Sequence, residues 1–215
     1  MYRPGYDSPV FDDATQRIIP SSVVATVHLF RHGEVETGSA RVCRGQLDVA
    51  LSARGREQSE AAAARFLARY GRPDRVISSD LRRCRDFASC FGAPVELAPG
   101  LREQDMGAWE GRTWESLTEA DGAAVTAYWA DYVHARPTGG EAWAEAAERV
   151  RMAWLALGVE TGRVVVTTHI GPIRALLCAW LGLPPDDALR FAPAYATETR
   201  VLLAESGAVV ECLGA

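Results

Sequence analysis

At 215 residues, 48% hydrophobic and 24% charged, the chain has the composition of an ordinary globular protein and is long enough to bury one sizeable core. Its net charge of -5 and pI near 5.4 speak against a general nucleic-acid binder, which needs a basic face to displace phosphate counterions. No run approaches the roughly 18 apolar residues of a membrane span, and Cys43, Cys84, Cys90, Cys178 and Cys212 form no CxxC pair of the zinc or redox kind.

The odd number and scatter of these cysteines make a reducing cytoplasm the expected compartment, and the N-terminus lacks a basic-then-apolar signal pattern. Residues 1–22 read as a polar extension, and residues 23–215 as one domain. "VVATVHLF" (23–30) is continuously apolar and β-branched, as expected of a strand buried on both faces of a parallel sheet, with His28 an ordinary member of it. Residues 52–70 predict a helix begun by a serine cap and stopped by Gly71, with Pro73 close behind. A short strand (74–79), a helix (81–91) and a further strand (93–99) follow.

Residues 101–137 are crowded with Trp109, Trp114, Tyr128, Trp129 and Tyr132, and read as irregular structure plus a short helix or two, of which 105–137 is expected to wall a ligand pocket as a cap segment. "TGGE" (138–141) has the spacing of a capping box and predicts a helix over about 140–157. "GRVVVTTH" (162–169) is a second buried strand, and "GPIRALLCAWLG" a helix with Pro172 in its first turn and Gly182 at its end. "ETRVLLAESGAVVECL" closes the chain as two strands around a Ser-Gly turn. Alternating strands and helices predict a three-layer α/β/α sandwich with a mostly parallel central sheet.

The two strongest strands each deliver a histidine just past the C-terminal end, His32 and His169, and at that edge open α/β sheets bind ligands. Gly33 and Gly171 follow closely and let the backbone approach a ligand. Arg31 precedes His32, and Arg82 and Arg83 lie beyond the strand at 74–79, so the same edge gathers permanent positive charge. Guanidinium forks suit tetrahedral oxyanions, and a phosphate site follows. Solvated arginines paired with Glu34 or Asp86 are the plainer alternative.

"FRHGEVETG", "RGQLDVALSARGREQSEAAA", "VISSDLRRCRDFA", "LREQDMGAWEGRTWESL", "TGGEAWAEAAERV" and "VVVTTHIGPIRALL" resemble, in this order, successive blocks of the histidine phosphatase superfamily, over about 24–182. The resemblance implies a phosphoglycerate mutase-like fold and a phosphomonoester hydrolase that needs neither metal nor cofactor. It makes His32 the nucleophile, has Arg31, Arg83 and His169 cradle the phosphate, and makes Glu103 the proton donor to the leaving alcohol. Asp105 or Glu110 could donate instead. A nucleophilic imidazole must be neutral, which calls for an orienting hydrogen bond on its other nitrogen, expected from a backbone carbonyl of the RHG turn.

Relatives commonly read RHGxTxxN, whereas here Val35 replaces the threonine and Gly38 the asparagine. Arg44, Gln46 or Thr37 are the candidates for the missing phosphate contact, with Arg44 and Thr37 taken as substrate-binding. Cys84 stands where a small alanine is usual and packs. His134 reads as a surface residue and Glu34 as an exposed acid.

"MGAWEGRTWESL" resembles the phosphatase branch, including alpha-ribazole and broad-specificity phosphatases, more closely than the mutases. Mutase-type phosphoryl transfer and non-catalytic phosphate-ligand binding are the alternatives. The expected partner is a small phosphorylated substrate, with no nucleic acid and no membrane. The oligomeric state is not readable from the sequence, a homodimer being one option.

Overall fold

The computed structural model describes residues 9–12, 17–20, 22–36 and 41–215; Thr37 and Gly38 lie outside them. Strands β1 (Pro9–Asp12) and β2 (Arg17–Pro20) pair antiparallel as a small sheet of their own. The residues read as an N-terminal extension therefore carry two strands.

The main sheet is built from β3 (Val23–Arg31), β4 (Arg75–Ser78), β5 (Val95–Leu97), β6 (Gly162–Thr168), β7 (Glu198–Ala204) and β8 (Gly207–Leu213). Its strand order is β5-β4-β6-β3-β7-β8. The first four run parallel, while β7 and β8 join antiparallel at one edge. The helices are α1 (Ala53–Tyr70), α2 (Arg82–Ser89), α3 (Trp114–Ala130), α4 (Trp143–Ala156) and α5 (Ile170–Leu181).

Side-chain alternation along the central strands explains the three layers. Val27, Leu29, Val164 and Val166 pack with Val150 and Trp154 of α4 and Ile173, Leu176 and Leu177 of α5. Phe30 and Val165 face the opposite way, onto Ala62, Ala63 and Phe66 of α1 and Phe87 of α2. Both faces are dry, which is why these strands read as unbroken apolar runs. His28 belongs to the second face, fully buried against the Phe66 ring at 4.8 Å and hydrogen-bonded through Nδ1 to Glu198 at 2.7 Å.

The caps follow the sequence at α1 and α5. The Ser52 hydroxyl accepts from the Gly55 N–H at 3.0 Å, and α1 stops at Gly71 (φ 73°), whose N–H returns to Leu67. Gly182 ends α5 in the left-handed conformation at φ 64°.

Two expectations change. Thr138 and Glu141 form no capping box: α4 starts at Trp143, and Glu145 accepts from the Ala142 N–H at 3.0 Å. Glu141 is instead held by Arg149 through two bonds of 2.8 Å and accepts from the Asp105 N–H. Residues 101–137 are also more ordered than their composition suggests. Here α3 runs 17 residues, broken at Asp121 (φ -154°, ψ 71°), so the expected short helices are two halves joined at a kink. Thr113 caps the first half by accepting from Ser116.

Candidate active site

Parallel pairing of β3 with β6 sets Arg31 opposite Thr168, and so brings the next residues, His32 and His169, side by side. The His32 N–H donates to the Thr168 carbonyl at 2.9 Å, and the two imidazole centroids lie 5.2 Å apart. The turn that carries His32 packs on the first turn of α1. A Cβ on Gly33 would stand 2.3 Å from the Gly55 carbonyl oxygen, so the close approach there requires glycine.

His32 is buried, and its Nδ1 lies 2.7 Å from its neighbour's carbonyl, that of Gly33. A carbonyl only accepts, so Nδ1 carries the proton and Nε2 keeps a free lone pair. This is the backbone bond the sequence called for. Burial first, and the Arg83 charge second, hold the His32 pKa well below the ordinary imidazole range. The ring is therefore neutral and nucleophilic at neutral pH.

Arg83 is almost wholly buried beneath it. Its guanidinium donates to the carbonyls of Leu47 (2.6 Å) and Gly45 (2.9 Å) and to His169 Nδ1 (3.2 Å). These acceptors use three of its five N–H groups and fix its plane. Because His169 Nδ1 accepts, its Nε2 carries the proton and donates to Ser79 Oγ at 2.9 Å. His169 is fully buried, both nitrogens are engaged by the protein, and its pKa too is driven well below 6.5 by burial and then by Arg83. It supports the cavity from behind. Cys84 Sγ packs 3.4 Å from the same ring, and burial pushes the thiol pKa far up, so it is no thiolate nucleophile.

Arg31 reaches the cavity from the other side, with Nη1 donating to the Pro193 carbonyl at 3.0 Å. Glu103 lines the same cavity. One carboxylate oxygen accepts from the Gly171 N–H at 3.2 Å, at the positive end of α5, and the other from the Gln104 N–H at 3.0 Å. Its backbone carbonyl is tied down by Arg149 and Gln46, each at 3.1 Å.

The two alternative acids serve the scaffold. Asp105 caps the Gly107 N–H, and Glu110 accepts from the N–H groups of Gln46 and Met106. Gln46 spends its side-chain amide on Glu103 and its carbonyl on Arg102, which leaves Arg44 as the cavity-lining candidate among the residues named for the missing asparagine contact. Glu34 accepts from Ser52 away from the cavity, and His134 is exposed and paired with Asp131.

Arg31, His32, Arg44, Arg83 and Glu103 line one cavity of about 320 Å³. Its outer wall is aromatic: Trp114, Tyr128, Trp129 and Tyr132 come from the cap and Trp143 from α4. Trp109 turns inward instead, into the cap's own core with Cys43, Met106 and Leu117. The crowd of aromatic residues thus divides between packing and lining. Sequence reasoning missed Trp143, Arg174 and Tyr195 on this wall. Arg174 had a signal, since it sits three residues after Gly171 and so on the same face of α5. Tyr195 had none, being in an aperiodic loop.

Fold and site together define a class, the phosphatases that work through a histidine. The family model for the histidine phosphatase superfamily (branch 1) matches residues 27–215, and the chain belongs to that superfamily. It is 38% identical over 173 residues, 74% of this chain and 75% of the relative, to a glucosyl-3-phosphoglycerate phosphatase of Mycolicibacterium vanbaalenii. It is 34% identical over 163 residues, 72% of this chain and 68% of the relative, to a metal-independent phosphoserine phosphatase of Arabidopsis thaliana. Among solved structures, a putative alpha-ribazole-5'-P phosphatase of Escherichia coli superposes with a TM-score of 0.82 at 26% identity, covering 89% of this chain and 97% of that one. The chain is accordingly a phosphomonoester hydrolase of the phosphohistidine type.

Proposed function

We propose that His32 Nε2 attacks the phosphorus of a small phosphorylated metabolite, giving a phosphohistidine and an alcohol, and that water then hydrolyses this intermediate to orthophosphate. The observation that carries this assignment is the bond from His32 Nδ1–H to the Gly33 carbonyl, which leaves Nε2 unprotonated beside two buried or half-buried arginines. Arg31 and Arg83 bind the phosphoryl oxygens, with Arg44 as a further cation on the cavity wall. Fixed positive charge at the transferring group supplies most of the rate enhancement. His169 acts through Arg83, whose plane it holds.

Glu103 protonates the leaving oxygen in the first step and takes a proton from the attacking water in the second. It faces the cavity on two backbone N–H groups, while Asp105 and Glu110 are committed to loops. The reaction so proposed uses no metal. This is supported by the name of the Arabidopsis relative. The aromatic wall suits an alcohol with a ring or an apolar face.

The test is hydrolysis of p-nitrophenyl phosphate in the presence of a chelator, followed by His32→Ala. Turnover should survive the chelator and fall in the variant by more than about 10³-fold, as for a lost nucleophile. Wild type should also yield an acid-labile phosphoenzyme on rapid quenching. Equal turnover in wild type and variant sinks the assignment.

A further inference from the structure

The loop at 193–196 grips Arg31 in a way that the roles above leave unused. The Arg31 guanidinium carbon lies 4.0 Å from the centre of the Tyr195 ring, its Nη1 donates to the Pro193 carbonyl, and its backbone carbonyl accepts from the Ala196 N–H at 2.9 Å. The Tyr195 ring also lies 5.5 Å from the His32 ring and forms part of the cavity wall. Ala196 adopts φ 52°, the one non-glycine residue with positive φ among those described. Side-chain-bearing residues adopt that conformation at a cost, and here it turns the loop so that one N–H meets the carbonyls of both Arg31 and His32.

How the arginine is held matters for an anion site. A carboxylate partner would neutralise the guanidinium and occupy its in-plane N–H groups, and among the described residues no Asp or Glu forms an ion pair with Arg31. An aromatic ring binds the flat face instead and leaves the charge unneutralised, so that the N–H groups other than the one given to Pro193 remain for a tetrahedral oxyanion. The Arg31 Nε–H is buried with no protein partner, as a donor kept for a ligand would be.

We infer that Tyr195 is a positioning residue for phosphate capture: its ring fixes the Arg31 guanidinium by its flat face and leaves the Nε–H free for the phosphoryl group. The inference rests on the reading of Arg31 as a phosphate ligand.

The experiment compares Y195F and Y195L for kcat/KM on p-nitrophenyl phosphate and for inhibition by orthovanadate, a phosphate mimic, each alone and combined with R31A. Y195F keeps the ring and should stay within about threefold of wild type, whereas Y195L should lose about 30-fold in both quantities, the factor a desolvated cation–π contact represents. On the R31A background Y195L should add less than about twofold, since the interaction is already gone. Thermal melts identify any variant that fails to fold, and Y195M then takes the place of Y195L.

Wild-type turnover that His32→Ala abolishes, together with a Y195L equal to wild type, overturns this inference and leaves the phosphatase assignment standing. So does a Y195L loss of the same size with or without Arg31, because the ring would then act on something else. A wild type with neither turnover nor vanadate inhibition removes the assignment on which it rests.

Discussion

Gly171→Ala isolates the role of Glu103 without touching it. A Cβ at Gly171 would stand 2.0 Å from Glu103 Oε1 and 3.1 Å from its Cδ, while the N–H that the carboxylate accepts is retained. A carbon and an oxygen settle at about 3.3 Å or more, so the carboxylate must retreat by roughly 1.3 Å. The obstructed atom is the end of a side chain that can swing aside, and Gly171 lies in the first turn of α5, so the melting temperature should change little.

A displacement of about 1 Å in a catalytic group costs on the order of 100-fold. That loss is expected in kcat/KM for an alkyl phosphate such as glycerol 2-phosphate, whose alkoxide needs a proton to leave. For p-nitrophenyl phosphate, whose leaving group departs as a stable anion, the loss should stay under about tenfold, because general acid catalysis contributes little there. Using kcat/KM confines the comparison to the steps up to phosphoryl transfer. With the base also displaced, the variant should show a burst of nitrophenol as phosphoenzyme accumulates. Equal losses on the two esters, or none on either, would refute the placement of Glu103 as proton donor.

Two further outcomes follow from packing and charge. Gly55→Ala would set a Cβ 1.8 Å from the Glu34 carbonyl, a backbone atom that cannot swing aside; overpacking of this kind costs about 1–3 kcal/mol, to be read by urea denaturation, and activity should drop with it because the RHG turn must move. His32 and His169 are held neutral in the native state by burial, so the unfolded chain, titrating near 6.5, binds more protons below that pH. Stability should then fall as pH drops from about 6.5 toward 5, by up to about 1.4 kcal/mol per pH unit for each histidine. A His32→Asn, His169→Asn double variant should flatten that slope in urea titrations, and an unchanged slope contradicts the depressed values.

Much of this arrangement was legible in the residue order, for reasons that differ from element to element. The strands at 23–31 and 162–168 are dry on both faces, so their signal is a plain apolar run, and a histidine at the end of each falls on the edge where parallel sheets bind ligands. The caps at Ser52 and Gly182 are local chemistry and were readable as such.

"TGGE" misled because a capping box is defined by spacing alone, whereas Glu141 is claimed across the fold by Arg149. For His169 the residue order indicated the position at the strand's end but not the partners, Arg83 and Ser79, that tertiary packing brings to its nitrogens. Tyr195 belongs to no periodic segment, and only the folded chain lays it under Arg31. The position that departs most from the family's pattern, Gly38, falls outside the described residues.

The bond from His32 to the carbonyl of its own successor divides the labour of the site along the chain. The aim of the proposed nucleophile is settled within two residues, while Glu103, the aromatic wall and Tyr195 arrive from separate crossovers and loops. Whatever the cap is rebuilt to admit, the His32 ring keeps its direction. New alcohols can therefore be accommodated by changing the distant walls without re-inventing the chemistry at the strand's end.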